Sequence, residues 1–106
     1  MNNMEYGGYK NNLTWMTAIW LGSEEGSYRY WREAASEERR KAPNCPQVRE
    51  QLWTEENAAR FLLADRLEKE VCNGARTEPP GLYSDLLRLA LSDVDWHEVA
   101  EGFLEE

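Results

Sequence analysis

Residues 11–35, NNLTWMTAIWLGSEEGSYRYWREAA, decide how the chain is read. Three of its five tryptophans, Trp15, Trp20 and Trp31, fall here, in a chain otherwise rich in charge. No part of the stretch alternates apolar and polar residues for long enough to suggest a strand. Asn12 can cap a helix over 13–21 that Gly22 ends. At about 100° per residue, Trp15 and Trp20 point about 140° apart, and Met16, Ala18 and Ile19 fill the same side of the wheel. A helix apolar over most of its circumference is normally buried and central. The expectation is therefore a core helix with both tryptophans inside.

The rest of the stretch starts a second helix, over 24–41, with Ser23 as its cap and Glu24 and Glu25 at its positive end. Arg39, Arg40 and Lys41 suit its negative end. Tyr28, Trp31 and Ala35 share one face and should pack on the first helix. Tyr30 lies about 200° from Tyr28. It is either a tyrosine lying flat on its own helix or, beside Arg29, a contact of the kind enriched where proteins meet.

Outward from there the pattern stays helical. Pro43 and Pro46 mark a linker over 42–54, with a helical turn at 47–53. Thr54 can cap a long helix from 55 to 73 that Gly74 stops. Residues 74–81 form a second linker. A helix follows over Leu82–Leu91, and Ser92 can cap a last one over 93–105. The fold expected is all-α, a compact single-domain bundle of four to five helices spanning 1–106, with residues 1–11 flexible or extended.

At 106 residues the chain is the size of one domain and can bury a core without staples. Cys45 and Cys72 lie far apart in the sequence and belong to no Cys-x-x-Cys pair, which gives a zinc site or a disulfide scaffold little support. No apolar run suits a signal or a membrane span. A cytoplasmic protein with reduced thiols is expected.

Charge is more informative. Twelve basic and twenty acidic residues give −8. Residues 24–41 cancel, with five acids and five bases, whereas residues 78–106 hold eight acids against Arg88 alone. Direct binding to nucleic acid or to an anionic membrane is disfavoured, because each needs a basic surface. The natural complement is a basic protein.

Little points to chemistry. His97, the single histidine, stands four residues from Asp93 and from Glu101, and the trio can share a metal on one helix face. No second histidine completes a usual site, and a solvated face explains the trio as well. No glycine-rich phosphate loop and no nucleophile elbow are present. No acid is marked out by apolar neighbours that would raise its pKa. The expectation is a protein without catalytic residues, metal or cofactor.

In the last helix Trp96, Val99, Ala100, Phe103 and Leu104 form one apolar arc, and Asp95, Glu98, Glu101 and Glu105 cover the opposite one. These carboxylates rise about 4.5–6 Å apart along the axis. Duplex DNA carries one charge per roughly 1.7 Å, so one helix is too sparse to copy it. With Asp85, Glu78 and Glu106 nearby, the acids can still fill part of a nucleic-acid groove on a basic protein. Asp85, Asp95, Glu98, Glu101, Glu105 and Tyr30 are the candidate partner-binding residues.

Both ends of the chain also resemble a family of small acidic proteins of unknown function from phages and other mobile elements. Members open with a stretch like Asn-Tyr-Glu-Thr-Trp-Asn-Val-Ala-Leu-Trp, matched here by Asn11 or Asn12, Thr14, Trp15, Ala18, Trp20 and Leu21, then Glu25, Gly26, Tyr28, Trp31 and Arg32. The family end is matched by Asp85, Leu86, Leu87, Ala90, Leu91, Ser92, Val94, Trp96, Val99 and Ala100. Leu13 and Met16 depart from the pattern, and residues 42–60 have no counterpart. The resemblance transfers no catalytic residue. It implies an inhibitor of host defence, of the anti-CRISPR or antirestriction type, acting in the host cytoplasm on a protein or nucleoprotein complex with a basic surface. The alternative is a non-inhibitory interaction module, or a homodimeric adaptor, acting through exposed aromatics.

Overall fold

Three of the helix starts are set by side-chain caps. Asn11, not Asn12, caps the first helix: its Oδ1 accepts the Thr14 amide at 2.8 Å. Thr54 caps the fourth as its sequence context suggests, accepting the Asn57 amide at 3.1 Å. The last helix is capped by Asp95, whose Oδ1 accepts the amides of His97 at 3.1 Å and Glu98 at 3.2 Å. The sequence suggests Ser92 for that role, but the preceding helix runs on through it and its hydroxyl donates back to Leu89. Ser23 likewise donates back to Ile19 and does not cap the second helix.

In this computed structural model, which describes residues 7–105, the elements are α1 (Asn12–Ser23), α2 (Glu25–Lys41), a 3₁₀ turn (Ala42–Asn44), α3 (Pro46–Arg49), α4 (Glu55–Ala75), α5 (Leu82–Ser92) and α6 (Trp96–Glu105). The all-α class holds, with six helices among the described residues where the sequence predicts four to five. The expectation that residues 1–11 are flexible or extended falls partly on residues 1–6, outside the described ones. No described helix is long and apolar enough to cross a membrane.

Several boundaries differ from the sequence reading: α1 runs through Gly22, which has no left-handed φ, to Ser23, and α6 starts at Trp96 instead of residue 93. α4 continues through Gly74 to Ala75, because Gly74 keeps a helical conformation rather than the left-handed one of a C-terminal cap. Residues 42–54 are more than a linker. Ala42 is buried, and the Trp53 ring stacks on Phe61 of α4 with centroids 4.5 Å apart.

The core lies between α2, α4 and α6. Its contact surfaces are largely small: Ala34 and Ala35 on α2, Ala58, Ala59 and Ala64 on α4, Ala100 on α6. Small residues let the helix axes approach, and Trp31, Leu63, Leu67, Trp96 and Phe103 fill the space that remains. The apolar arc read from α6 is buried throughout. Arg32 and Arg39 of α2 donate to the Phe103 and Leu104 carbonyls, satisfying acceptors that the C-terminal end of α6 leaves open.

α1 does not stand at the centre. It packs on α2 and α6 from outside, and Thr14 is its one buried residue. Trp15 is half-buried beside Gly7, and Trp20 is 73% exposed. Leu13, Ala18 and Leu21 rest against the core, and polar bonds fix the position of α1. The Thr14 hydroxyl donates to Asn11 Oδ1 at 2.7 Å and accepts the Asp95 amide at 2.9 Å, while Asn11 Nδ2 donates to the Asp93 carbonyl at 2.8 Å. Segments far apart in the sequence therefore meet, Asn11 and Thr14 clamping the α5–α6 turn.

Candidate binding surface

The acids singled out in the sequence are not one uniform patch. Asp95 is a helix cap, and Glu98 accepts the Lys10 amide at 2.7 Å. Glu101 pairs with Arg60 of α4 at 3.1 Å. These three hold α6 and the N-terminal segment in place. Glu105 is exposed at the end of α6. Asp85 lies on α5, which packs mainly against α4, and its nearest base is Arg88 at 3.7 Å.

Tyr30 is partly exposed but tied to its own chain. Its ring meets Trp31 edge-on at 4.9 Å, its hydroxyl donates to Glu70 at 2.5 Å, and the Arg66 guanidinium lies 5.5 Å from its ring centre. Arg66 also reaches Glu37 at 2.8 Å and the buried Glu38 at 3.1 Å. Tyr30 and these carboxylates raise the Arg66 pKa further. Arg66 in turn holds the Glu37 carboxyl below its ordinary range, because a neighbouring cation favours the ionised acid. The cluster clasps α2 to α4.

The His97 trio does not assemble. Asp93 ends α5, α6 begins only at Trp96, and His97 instead packs edge-on against Phe61 at 4.6 Å. Among the described residues no three His, Cys, Asp or Glu side chains are placed to hold one metal ion. Cys45 donates to Gln47 at 2.9 Å. Burial pushes the Cys72 thiol pKa up.

A different concentration of acid emerges from the fold. Between α4 and the α5–α6 turn runs an open groove of about 550 Å³. Asp65 and Glu68 of α4 form one wall, Asp93 and Asp95 the other, and Phe61, Trp96 and His97 contribute ring surface. Lys10 stands at one edge, and Lys69 pairs with Asp65 at 2.8 Å. Asp65, Glu68 and Asp93 are exposed. A carboxylate-walled groove with aromatic surface suits a lysine or arginine side chain, which gains from both charge and ring. The sequence reading does not single out Asp65 and Glu68. The signal present in it is the stripe Phe61, Asp65, Glu68 at i, i+4 and i+7, an aromatic and two acids on one helix face.

The surface also carries uncovered apolar side chains. On α1 they are Met16, Ile19 and Trp20; on α5 they are Leu82, Tyr83, Leu86 and Leu89. No family model, curated protein or solved structure matches the chain.

Proposed function

We propose that this chain is a non-catalytic protein of a phage or other mobile element. In this reading it inhibits a host defence complex, of anti-CRISPR or antirestriction type, by occupying a basic surface that normally handles nucleic acid. The acidic groove between α4 and the α5–α6 turn carries the proposal. Exposed carboxylates from two elements converge there on ring surface. The net charge of −8 steers a basic partner toward the chain. Asp85 and Glu105 extend the acid beyond the groove. Nucleic acid itself is repelled.

The test is the triple reversal Asp65→Lys, Glu68→Lys, Asp93→Lys, which spares the structural acids Asp95, Glu98 and Glu101. It should abolish protection of a phage in a host carrying the targeted defence system. The wild-type complex should weaken steeply with salt, because exposed charges are screened within about 8–10 Å. Full protection by the reversed protein would make the groove a solvated face and the proposal wrong.

One observation favours a second reading. Trp20 stands 73% exposed with Met16 and Ile19 uncovered on the same helix. It is the kind of aromatic anchor that dominates protein interfaces. A module binding through α1 would hardly notice salt, and Trp20→Ala would abolish its capture of a host protein while the groove reversal would not.

A further inference from the structure

α5 carries apolar side chains on two sides. Leu91 packs toward the core and Leu87 is half-buried, yet Leu82, Leu86 and Leu89, at i, i+4 and i+7, face outward at 67%, 54% and 67% exposure. Tyr83 beside them is 80% exposed. A helix with two apolar faces is stable when both are covered, and within one chain this one is covered on a single side. The leucine spacing is that of a coiled-coil seam.

We propose that a second copy of the chain covers it, the two α5 helices packing antiparallel, stripe to stripe, about a two-fold axis near Leu86. Charge selects this occupant. Two copies at −8 repel each other everywhere except where charge cancels, and α5 is such a place. It holds Asp85 and Arg88, one acid and one base, and Arg88 is the single base among residues 78–106. A basic partner gains no charge complementarity beside a stripe flanked by one acid and one base, whereas a second α5 offers Arg88 to Asp85 and Asp85 to Arg88. Within the chain Asp85 and Arg88 stand a loose 3.7 Å apart, with side chains 69% and 80% exposed. In the antiparallel pair, Asp85 borders the stripe and Arg88 of each copy comes within about one helical turn of Asp85 of the other. Asp85 and Arg88 of both copies then line one edge of the α5–α5 contact in alternating sign. α5 is only 11 residues long. The interface therefore falls short of the roughly 800 Å² per partner of a standard complex, and dimerisation is weak.

This inference shares only Asp85 with the acidic surface proposed above and does not depend on what the groove binds, and sedimentation equilibrium on the full chain alone tests it. The mean mass should climb from 12.4 kDa toward twice that value between concentrations on the order of 1 µM and 1 mM. Added sodium chloride should strengthen the dimer by screening the mutual repulsion, the opposite of its effect on a basic partner. Leu86→Glu and, separately, Leu89→Lys should weaken association at least about tenfold by placing charge in the seam. Both replaced side chains are exposed, so helicity by circular dichroism should stay at the wild-type value. Trp20→Lys, on the other apolar face, should dimerise like wild type. A wild-type chain that stays monomeric throughout would overturn the proposal and leave the stripe to a different protein. Dimerisation unaffected by both leucine variants, or abolished by Trp20→Lys, would overturn it equally.

Discussion

Thr14 and Trp20 show how far a single residue's place can depart from its type. Thr14 is fully buried and its hydroxyl is used twice, toward Asn11 and the Asp95 amide. Trp20 is mostly in solvent. Thr14→Val keeps the volume and removes both bonds, leaving the Asp95 amide without a partner. It should cost about 1–3 kcal/mol in urea denaturation. Trp20→Ala should change stability by no more than about 0.5 kcal/mol, the range of ordinary surface substitutions. The reverse ranking would mean that α1 is buried as its composition suggests. Trp15 is half-buried. Trp15→Ala should therefore fall between them, below the roughly 3–5 kcal/mol of a core tryptophan. None of this is legible in the sequence. Hydrophobicity ranks tryptophan above threonine, and the Asp95 amide that needs Thr14 lies 81 positions away.

Among elements, legibility follows contrast. α6 pairs a polar arc with an apolar arc, and its inward face can be read directly. α1 and α5 carry apolar residues on more than one side, so the wheel does not show which side the chain itself covers. The α2–α4 clasp is hidden for another reason. Arg66, Glu37, Glu38 and Glu70 are ordinary charged residues until the two helices bring them together. Glu38 is buried and pairs with Arg66. Arg66→Met should cost about 2–4 kcal/mol, because it strips that carboxylate of its main partner. The pH dependence has a definite sign. Arg66 lowers the Glu37 pKa in the folded state, so this contribution is present above the unfolded carboxylate value and is lost as pH falls through the folded one. Stability curves of wild type and Arg66→Met should therefore lie furthest apart near neutral pH and draw together in acid. Parallel curves down to about pH 2 would show that Glu37 contributes nothing. At the α4–α6 contact the helices meet through alanines. Ala100→Leu should cost about 1–3 kcal/mol by forcing them apart.

At the scale of the whole molecule, the excess of acid is visible in composition and its distribution is not. Residues 78–106 do carry most of the net charge, but several of those acids cap or pair, and the exposed groove borrows Asp65 and Glu68 from α4. The radius of gyration is 14.9 Å. A compact domain of this length has roughly 13 Å, and the excess fits α5 laid on the outside. The molecule measures 45 × 33 × 28 Å. Those extents are comparable to the screening length of roughly 30 Å at 0.01 M salt, so nearly every carboxylate then feels the others. At 0.15 M that length is about 8 Å and only neighbours interact. Exposed pairs such as Arg29–Glu25 gain too little to offset the repulsion of so acidic a surface. Raising sodium chloride across this range should therefore stabilise the chain, by about 1 kcal/mol or roughly 4–8 °C in melting temperature. The variant carrying Asp65→Lys, Glu68→Lys and Asp93→Lys has a net charge of −2 and should show a much shallower rise. Equal slopes would assign the effect to salt acting on apolar surface instead of on charge. The same comparison guards the functional test. If the reversed protein melts at or above the wild-type temperature at low salt and still fails to protect a phage, the loss lies in the groove and not in the fold.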